Sequence, residues 1–200
     1  MIKNCIFDFG NVLAVFDPDR LTAPYFPDEA LRREISEVVF DRLYWDRLDE
    51  GTISDEEVKA GIRSRVGAEY ADRACEVYDG WIENLTPVSG MADVVRQLKN
   101  SGKRLYLLSN ISEGFAEKYK EIKWIRELFE LFDGLVFSGK IKLVKPDEKI
   151  FRYVLDTFGL EKSESVFVDD NPANIAGAQN AGIRGILFDG SAAELRNYFK

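Results

Sequence analysis

The amino-acid sequence predicts an α/β fold, built on an open parallel sheet with helices on both faces. Short apolar runs alternate along the chain with longer stretches of helical periodicity, and this alternation is typical of a doubly wound sheet. Several of the runs are apolar at every position, which indicates strands buried on both faces. Together these patterns predict a doubly wound, Rossmann-like parallel core.

Five apolar runs are the predicted strands, and helical patterns lie between them. The strands are expected at residues 3–7, 104–108, 134–137, 165–168 and 185–188, and the helices at residues 91–100, 113–131, 148–158 and 172–180. Gly102, Gly159 and Gly182 each follow a helical pattern within two residues. Because glycine just past the last helical residue is a common stop signal, these helix ends are predicted on physical grounds.

Residues 16–86 interrupt the alternation of strands and helices. This stretch lies between the first and second predicted strands, is rich in helix-forming and charged residues, and shows no convincing strand. Ser54 followed by Glu57 predicts a capping box at the start of one of its helices. We therefore expect a core formed by residues 1–15 and 87–200, with residues 16–86 inserted as a helical domain.

Composition and charge limit the kinds of partner. With 46% hydrophobic residues among 200, the chain can bury a sizeable core. A formal net charge of -8 argues against nucleic-acid binding, which relies on clustered Lys and Arg. No apolar run approaches the roughly 20 residues of a membrane helix, and the N-terminus does not resemble a signal peptide. A soluble, cytoplasmic protein is therefore expected.

Two residue types restrict the available chemistry. Cys5 and Cys75 are the only cysteines, which provides no disulfide framework and no cysteine-based zinc site and fits a reducing cytoplasm. The chain contains no histidine, so Ser-His-Asp catalysis, Cys-His catalysis and zinc held by histidine are excluded. Catalysis must therefore rely on carboxylates, Lys, Ser, Asn and backbone groups.

Polar residues capable of chemistry follow four of the predicted strands. Ligands of open α/β sheets bind outside the carboxyl ends of the strands. Each group taken alone is an ordinary turn former, helix cap or loop residue, but all four are expected at one edge of one sheet. Adjacent acids at a buried strand end also repel each other unless a cation offsets them. The four groups are Asp8, Ser109-Asn110, Lys145-Pro146 and Asp169-Asp170-Asn171.

These groups, in this order, resemble the motifs of a known family. Residues 7–13, 108–110, 145–146 and 168–171 resemble the four ordered motifs of the haloacid dehalogenase-like hydrolases. The resemblance spans nearly the whole chain, and the inserted segment is similar to the family's helical cap of the first type. Residues 44–54 are similar to the cap of the sugar-phosphatase branch, which is typified by glucose-1-phosphate phosphatases.

The resemblance implies hydrolysis of a phosphate monoester, with Asp8 as the nucleophile. Asp8 would attack phosphorus and form an aspartyl-phosphate, which divides one difficult hydrolysis into two easier steps. Ser109 and the backbone of Asn110 would hydrogen-bond the phosphoryl oxygens. Lys145 would bind the phosphate as well, and its positive charge would lower the repulsion between the nucleophile and the phosphoryl group.

The resemblance also implies a magnesium cofactor. Asp8, Asp170 and the carbonyl of Gly10 would bind Mg²⁺, with Asp169 as a further ligand or as a supporting group. Oxygen ligands suit Mg²⁺, and the ion would neutralise charge on the transferring group. The expected partner is a small phosphorylated metabolite, most simply a sugar phosphate, with no nucleic acid and no membrane. A monomer or a small homo-oligomer is expected.

Gly10 departs from the pattern of most phosphatases of this family, which have an aspartate two positions after the nucleophile. That aspartate protonates the leaving group, and general acid catalysis is typically worth roughly 100- to 10,000-fold in rate. Either the substrate has a good leaving group, such as a sugar anomeric oxygen, or Asp17 or a water molecule donates the proton. The sugar-phosphatase branch is similar in having glycine at this position.

Two other functions stay open. A 2-haloacid dehalogenase would use the same nucleophile on carbon, but Asp169 and Asp170 argue against it because that reaction needs no metal. A non-catalytic phosphometabolite-binding protein is the other alternative, motivated by Gly10. Four cap aromatics fit either a sugar-binding face or a packed core, and helical spacing favours the core. They are Tyr44, Trp45, Tyr78 and Trp81.

Overall fold

The five strands of the main sheet in this computed structural model occur where the sequence predicts them. Within residues 1–199, which the structure describes, the strands are β1 (Asn4–Phe7), β2 (Ala14–Val15), β3 (Thr86–Pro87), β4 (Arg104–Ser109), β5 (Gly134–Phe137), β6 (Ser165–Asp169) and β7 (Arg184–Leu187). Five of them form one sheet in the order β5-β4-β1-β6-β7, and every neighbouring pair is parallel. The predicted doubly wound α/β fold is confirmed.

The register of the central strands decides what lies at the edge of the sheet. β1 is the middle strand, and its last residue Phe7 lies beside Leu107 of β4 and Val168 of β6. The residues that follow these three therefore emerge side by side. Since all the strands run in the same direction, their carboxyl ends form one edge of the sheet.

The helices match three of the four predicted ranges. The α-helices of the described residues are α1 (Pro18–Thr22), α2 (Glu29–Val39), α3 (Arg42–Asp49), α4 (Asp55–Arg65), α5 (Ala71–Asp79), α6 (Met91–Asn100), α7 (Phe115–Lys118), α8 (Lys123–Phe129), α9 (Ser138–Ile141), α10 (Glu148–Phe158), α11 (Pro172–Asn180) and α12 (Ala192–Tyr198). Short 3-10 helices form at Tyr119–Glu121 and Lys162–Glu164. Helices α6, α10 and α11 have the predicted bounds.

The prediction of one continuous helix over residues 113–131 is wrong. Ile122 has an extended backbone (φ -89°, ψ 105°) and separates α8 from the preceding helical turns. The rings of Tyr119 and Phe129 lie 5.1 Å apart, whereas ten residues of a straight helix would separate them by about 15 Å along the axis. The chain turns at Ile122 because both aromatic rings pack into the same core.

Residues 16–86, called the cap segment below, are helical as expected. Helices α1 to α5 lie within it, and the predicted capping box of Ser54 and Glu57 is confirmed. β2 and β3 flank the helices and pair antiparallel, which the sequence did not predict. The chain therefore leaves and rejoins the core at one place. That the cap segment forms a separate domain stays a prediction.

The core is divided by the sheet into two hydrophobic clusters. Phe7 packs in a cluster that continues into the cap segment, while Ile6 packs in a second cluster on the other face. Successive side chains of a strand point to opposite faces, so β1 is buried on both sides, as its apolar sequence predicted. Within residues 1–199, no helix combines the length and apolarity needed to cross a membrane.

Candidate active site

The predicted site residues meet at the carboxyl edge of the sheet. Asp8 directly follows β1, Ser109 is the last residue of β4, and Asp169 is the last residue of β6. A cavity of about 320 Å³ opens at this edge, between the sheet and the cap segment. Its wall includes the following predicted residues: Asp8, Gly10, Ser109, Asn110, Lys145 and Asp170.

Lys145 lies between two carboxylates. Its Nζ atom is 2.8 Å from Oδ1 of Asp8 and 2.7 Å from Oδ2 of Asp169, and its side chain is 1% exposed. Burial lowers the pKa of Lys145, but the two carboxylates outweigh this effect, and the pKa lies above its ordinary value. The ammonium group is therefore charged, and it is fixed next to the predicted nucleophile.

Asn110 holds the backbone of Lys145. The side-chain amide of Asn110 donates to the Lys145 carbonyl at 2.9 Å, and the Lys145 N–H donates to the Asn110 side-chain oxygen at 2.8 Å. These two reciprocal bonds use both ends of the amide, so the side chain positions Lys145. The predicted contact between the Asn110 backbone and phosphate stays a prediction.

Ser109 has a hydroxyl group at the cavity. The residue is 2% exposed, lines the cavity wall and makes no side-chain hydrogen bond within the part of the chain that the structure describes. The hydroxyl group is therefore available to hydrogen-bond a molecule in the cavity. This is consistent with the predicted contact between Ser109 and a phosphoryl oxygen.

Asp169 is fully buried, and protein donors saturate its carboxylate. Besides Lys145, it accepts from the backbone N–H of Asn171 at 2.8 Å and from the side-chain amide of Asn174 at 3.0 and 3.1 Å. Of the two roles left open by the sequence, this geometry favours a supporting group that holds Lys145. Sequence reasoning missed Asn174, although Asn171 and Asn174 are three residues apart at the start of α11 and hence on one face.

Asp170 is held differently and remains open to the cavity. It is half-buried, and burial raises its pKa, with the neighbouring Asp169 adding to the shift. The neighbouring side chain of Asn11 opposes this rise in the pKa of Asp170, and the side-chain oxygen of Asn11 accepts from the Phe16 N–H at 3.0 Å. Asn11 adopts the left-handed conformation (φ 53°), which asparagine tolerates better than most residues. Sequence reasoning missed this role of Asn11.

The carboxylates fit a divalent cation. Asp8, Asp169 and Asp170 each place an oxygen within 4.8 Å of the others. Together with Lys145 they carry three negative charges and one positive charge, which leaves an excess of two negative charges at a largely buried site. Burial raises the pKa of Asp8, Lys145 opposes this shift, and Asp169 adds to it. The all-oxygen donor set and the charge excess both suit Mg²⁺.

Gly10 and Asp17, the two positions considered for the proton donor, lie in different surroundings. Gly10 lines the cavity, and a Cβ atom there would meet no heavy atom within 4 Å. Asp17 instead caps α1, where its carboxylate accepts from the Arg20 N–H at 3.2 Å, and it is not part of the cavity wall. The geometry therefore gives no support to Asp17 as a proton donor.

The four cap aromatics divide into two pairs. Trp45 and Trp81 line the cavity, with ring centroids 5.2 Å apart, and Phe16 completes this aromatic wall. Tyr44 packs beneath a guanidinium group, and the Tyr78 hydroxyl group donates to a cap carboxylate. The expectation of a packed core holds for Tyr78 and for both tryptophans, which are buried, while Tyr44 is partly buried. The tryptophans also border the site.

Comparison with known proteins finds several hydrolases. A protein-family model described as a haloacid dehalogenase-like hydrolase matches residues 2–182. A sesquiterpene phosphatase of Aspergillus oryzae is 25% identical over 191 residues, which cover 96% of this chain and 92% of the relative. A D-ribitol-5-phosphate phosphatase of Bacteroides thetaiotaomicron is 26% identical over 189 residues, which cover 88% of this chain and 86% of the relative. A HAD family enzyme of Bacteroides thetaiotaomicron has been solved in complex with magnesium and inorganic phosphate, and its structure has the same fold, with a TM-score of 0.66. It is 22% identical, and the match covers 98% of this chain and 99% of that one.

Proposed function

This chain belongs to the haloacid dehalogenase-like hydrolase family, and on that basis we propose that it is a Mg²⁺-dependent phosphatase of a small phosphorylated metabolite. The observation that carries the proposal is the contact of Lys145 with both Asp8 and Asp169 beside the half-buried Asp170. A nucleophile, a fixed cation and an acidic cluster at one cavity are the parts that phosphoryl transfer requires.

Asp8 is the proposed nucleophile. One oxygen of its carboxylate forms a bond to phosphorus while the bond between phosphorus and the leaving oxygen breaks, which produces an aspartyl-phosphate. Water then attacks the same phosphorus, releases inorganic phosphate and regenerates Asp8. Lys145 and the hydroxyl group of Ser109 stabilise the phosphoryl oxygens in both steps, and their donors are already in place before the substrate binds.

The metal site is proposed at the acidic cluster. Asp8, Asp170 and the Gly10 carbonyl would hold Mg²⁺, and Asp169 would support the site through Lys145. When bound, the ion supplies positive charge that offsets the negative charge of the phosphoryl group. Asn11 lowers the pKa of Asp170 and so favours its charged form, which is the form that would bind the ion.

The size of the cavity favours a small substrate. Its volume of about 320 Å³ lies at the lower end of the roughly 300–1,000 Å³ that is usual for small-molecule sites. Helix α3 of the cap segment contributes Arg42 and Trp45 to the wall, so the cap segment covers the leaving-group side. We expect its closure to exclude bulk water during transfer.

A sugar phosphate is the proposed substrate class. The similarity to a D-ribitol-5-phosphate phosphatase supports it, and Arg42 offers hydrogen-bond donors at the cavity. The aromatic wall of Phe16, Trp45 and Trp81 favours a second class, the phosphate of an apolar alcohol, because these rings would bury hydrocarbon. The similarity to a sesquiterpene phosphatase supports this second class.

A substrate panel with Mg²⁺ tests the proposed function. Wild-type protein is expected to release inorganic phosphate from para-nitrophenyl phosphate and from at least one member of a set of sugar, polyol and terpenyl phosphates. Release of chloride from 2-chloropropionate with no release of phosphate would instead support the dehalogenase alternative. A rise in melting temperature with phosphorylated ligands, again with no phosphate released, would support the binding protein and contradict the proposed function.

Removal of the metal is expected to abolish phosphate release. EDTA should stop turnover of para-nitrophenyl phosphate, and added Mg²⁺ should restore it. The variant Asp170→Asn should raise the Mg²⁺ concentration for half-maximal activity by at least roughly 10- to 100-fold, the loss usual even for groups that only support a ligand. Asp156→Asn, at an exposed position on α10, is the matched control. An unchanged Mg²⁺ requirement in Asp170→Asn would contradict the metal assignment.

A further inference from the structure

The core lacks the carboxylic acid that would protonate the leaving group, because Gly10 occupies the position at which most phosphatases of the family have an aspartate. Of the described residues that line the cavity, three have a carboxyl group: Asp8, Asp49 and Asp170. The proposed function already uses Asp8 as the nucleophile and Asp170 as a metal ligand. Asp49 is therefore the cavity acid that has no assigned role.

Asp49 reaches the cavity from the cap segment. It is the last residue of α3, seven residues after Arg42 and four after Trp45, and all three line the cavity. This spacing places them on one face of the helix. The carboxyl group of Asp49 makes no hydrogen bond or ion pair with any other residue between 1 and 199. It is thus free to contact a substrate.

The backbone of Asp49 is bonded to the core. The hydroxyl group of Ser138, at the start of α9, donates to the Asp49 carbonyl at 2.6 Å. The same hydroxyl group accepts from the Ile111 N–H at 2.9 Å. Ile111 comes two residues after Ser109, so the segment that carries the phosphate-binding hydroxyl group also fixes Asp49 through one shared side chain.

Close packing next to Asp49 strengthens this connection. Gly51 has a φ of 65° and lies so close to the Gly139 carbonyl that a Cβ atom would overlap it. Positive φ and close approach both require glycine here. The turn that ends α3 therefore packs directly against the core, and this packing fixes the position of the Asp49 backbone at the cavity.

The surroundings of Asp49 favour its protonated form. Burial raises the pKa of Asp49 to about 7, because the charged carboxylate loses water in the cavity wall. Arg42 and Lys145 oppose the shift, while Asp46 and Asp8 add to it. A carboxyl group with a pKa near neutrality is suited to donate a proton in one step and accept one in the next.

We propose that Asp49 is the general acid and base of this enzyme, supplied by the cap segment in place of the core aspartate that Gly10 lacks. The inference rests on the proposed phosphatase function. In the first step Asp8 bonds to phosphorus, the bond to the leaving oxygen breaks, and the proton of Asp49 moves to that oxygen to form the alcohol. In the second step water bonds to phosphorus while the bond between phosphorus and Asp8 breaks, one proton of the water moves to Asp49, and phosphate and the free Asp8 carboxylate result.

A comparison of leaving groups tests this role. Benzyl phosphate releases an alkoxide that needs a proton, whereas para-nitrophenyl phosphate releases a stable anion that does not. Asp49→Asn is expected to lower kcat/KM for benzyl phosphate about 100-fold or more and for para-nitrophenyl phosphate by less than about 5-fold. In the wild type, the rate with benzyl phosphate should fall as pH rises through neutrality, because only protonated Asp49 is a donor. This limb should be absent from Asp49→Asn.

A second substitution, in the core, shows whether Asp49→Asn loses activity because the proton donor is gone or because the protein misfolds. The double variant Gly10→Asp with Asp49→Asn should recover most of the activity toward benzyl phosphate, since a side chain at Gly10 meets open space. Glu50→Gln is the matched control, because it removes the adjacent charge from a residue outside the cavity wall. It should keep wild-type rates with both substrates.

The outcomes distinguish this inference from the proposed function. Equal slowing of both substrates by Asp49→Asn, or no slowing of either, would overturn the role of Asp49 while leaving a working phosphatase. A wild-type protein that hydrolyses neither ester would overturn the proposed function and the inference with it. Selective loss with benzyl phosphate, reversed by Gly10→Asp, would establish Asp49 as the proton donor.

Discussion

Asp8→Asn is expected to abolish hydrolysis of para-nitrophenyl phosphate at saturating Mg²⁺. An amide oxygen is a poor nucleophile, so the aspartyl-phosphate cannot form, and losses of a nucleophile are typically on the order of 10⁴- to 10⁶-fold in kcat. Asparagine has nearly the same shape as aspartate, and Asp8 is only 8% exposed, so the cavity should keep its form. Steady-state release of nitrophenolate measures the effect.

The controls for Asp8→Asn address folding and mechanism. Circular dichroism should show an unchanged helix content. Acid-quenched wild-type enzyme should yield a phosphorylated peptide that contains Asp8, and the variant should yield none. A rate within about tenfold of the wild type would contradict the nucleophile assignment, since the loss of a nucleophile cannot leave so much activity.

Of the single variants proposed, Lys145→Met is expected to lower the free energy of unfolding most. The ammonium group is buried between Asp8 and Asp169, so its removal leaves two buried carboxylates without their cation. Breaking a buried ion pair by deleting one partner typically costs about 3–5 kcal/mol. The midpoint of urea denaturation should therefore fall strongly in the absence of metal. Activity should also be lost, because the phosphoryl group no longer meets a fixed positive charge.

Two measurements make the Lys145→Met result specific. Lys149→Met removes a lysine that is 74% exposed and pairs with Asp147 at 3.7 Å, and its denaturation midpoint should stay near that of the wild type. Added Mg²⁺ should restore part of the lost stability of Lys145→Met, because a divalent cation can replace the missing charge at the acidic cluster. A wild-type midpoint for Lys145→Met without metal would contradict the charge balance described for this site.

The sequence predicted the sheet and the location of the site with good accuracy. All five predicted strands form. The apolar runs of β1 and β6 are buried on both faces, whereas β7 lies at an edge of the sheet and is partly exposed. Asp8, Ser109 and Asp169 then meet because parallel strands end at a common edge. The sequence also places Lys145 among the polar groups that follow strands, and only its role beside Asp8 comes from the family resemblance.

Other features depended on contacts between distant parts of the chain. The helix predicted over residues 113–131 is interrupted at Ile122 because Tyr119 and Phe129 pack together. The pairing of β2 with β3 joins residues more than 70 positions apart, for which two-residue strands give no sequence signal. Asn174 could have been suspected from its spacing to Asn171 in α11.

The sequence by itself determined the α/β fold, the order of the strands along the chain and the carboxylates at the strand ends, because each depends on local periodicity and on the direction of a strand. Only the tertiary structure decided which acid of the cap segment reaches the cavity. Asp17 and Asp49 are the same type of residue in the same segment. Asp17 caps α1, whereas the backbone of Asp49 is hydrogen-bonded to Ser138 of the core. That difference arises from packing between segments 89 residues apart, which no local pattern of the sequence encodes.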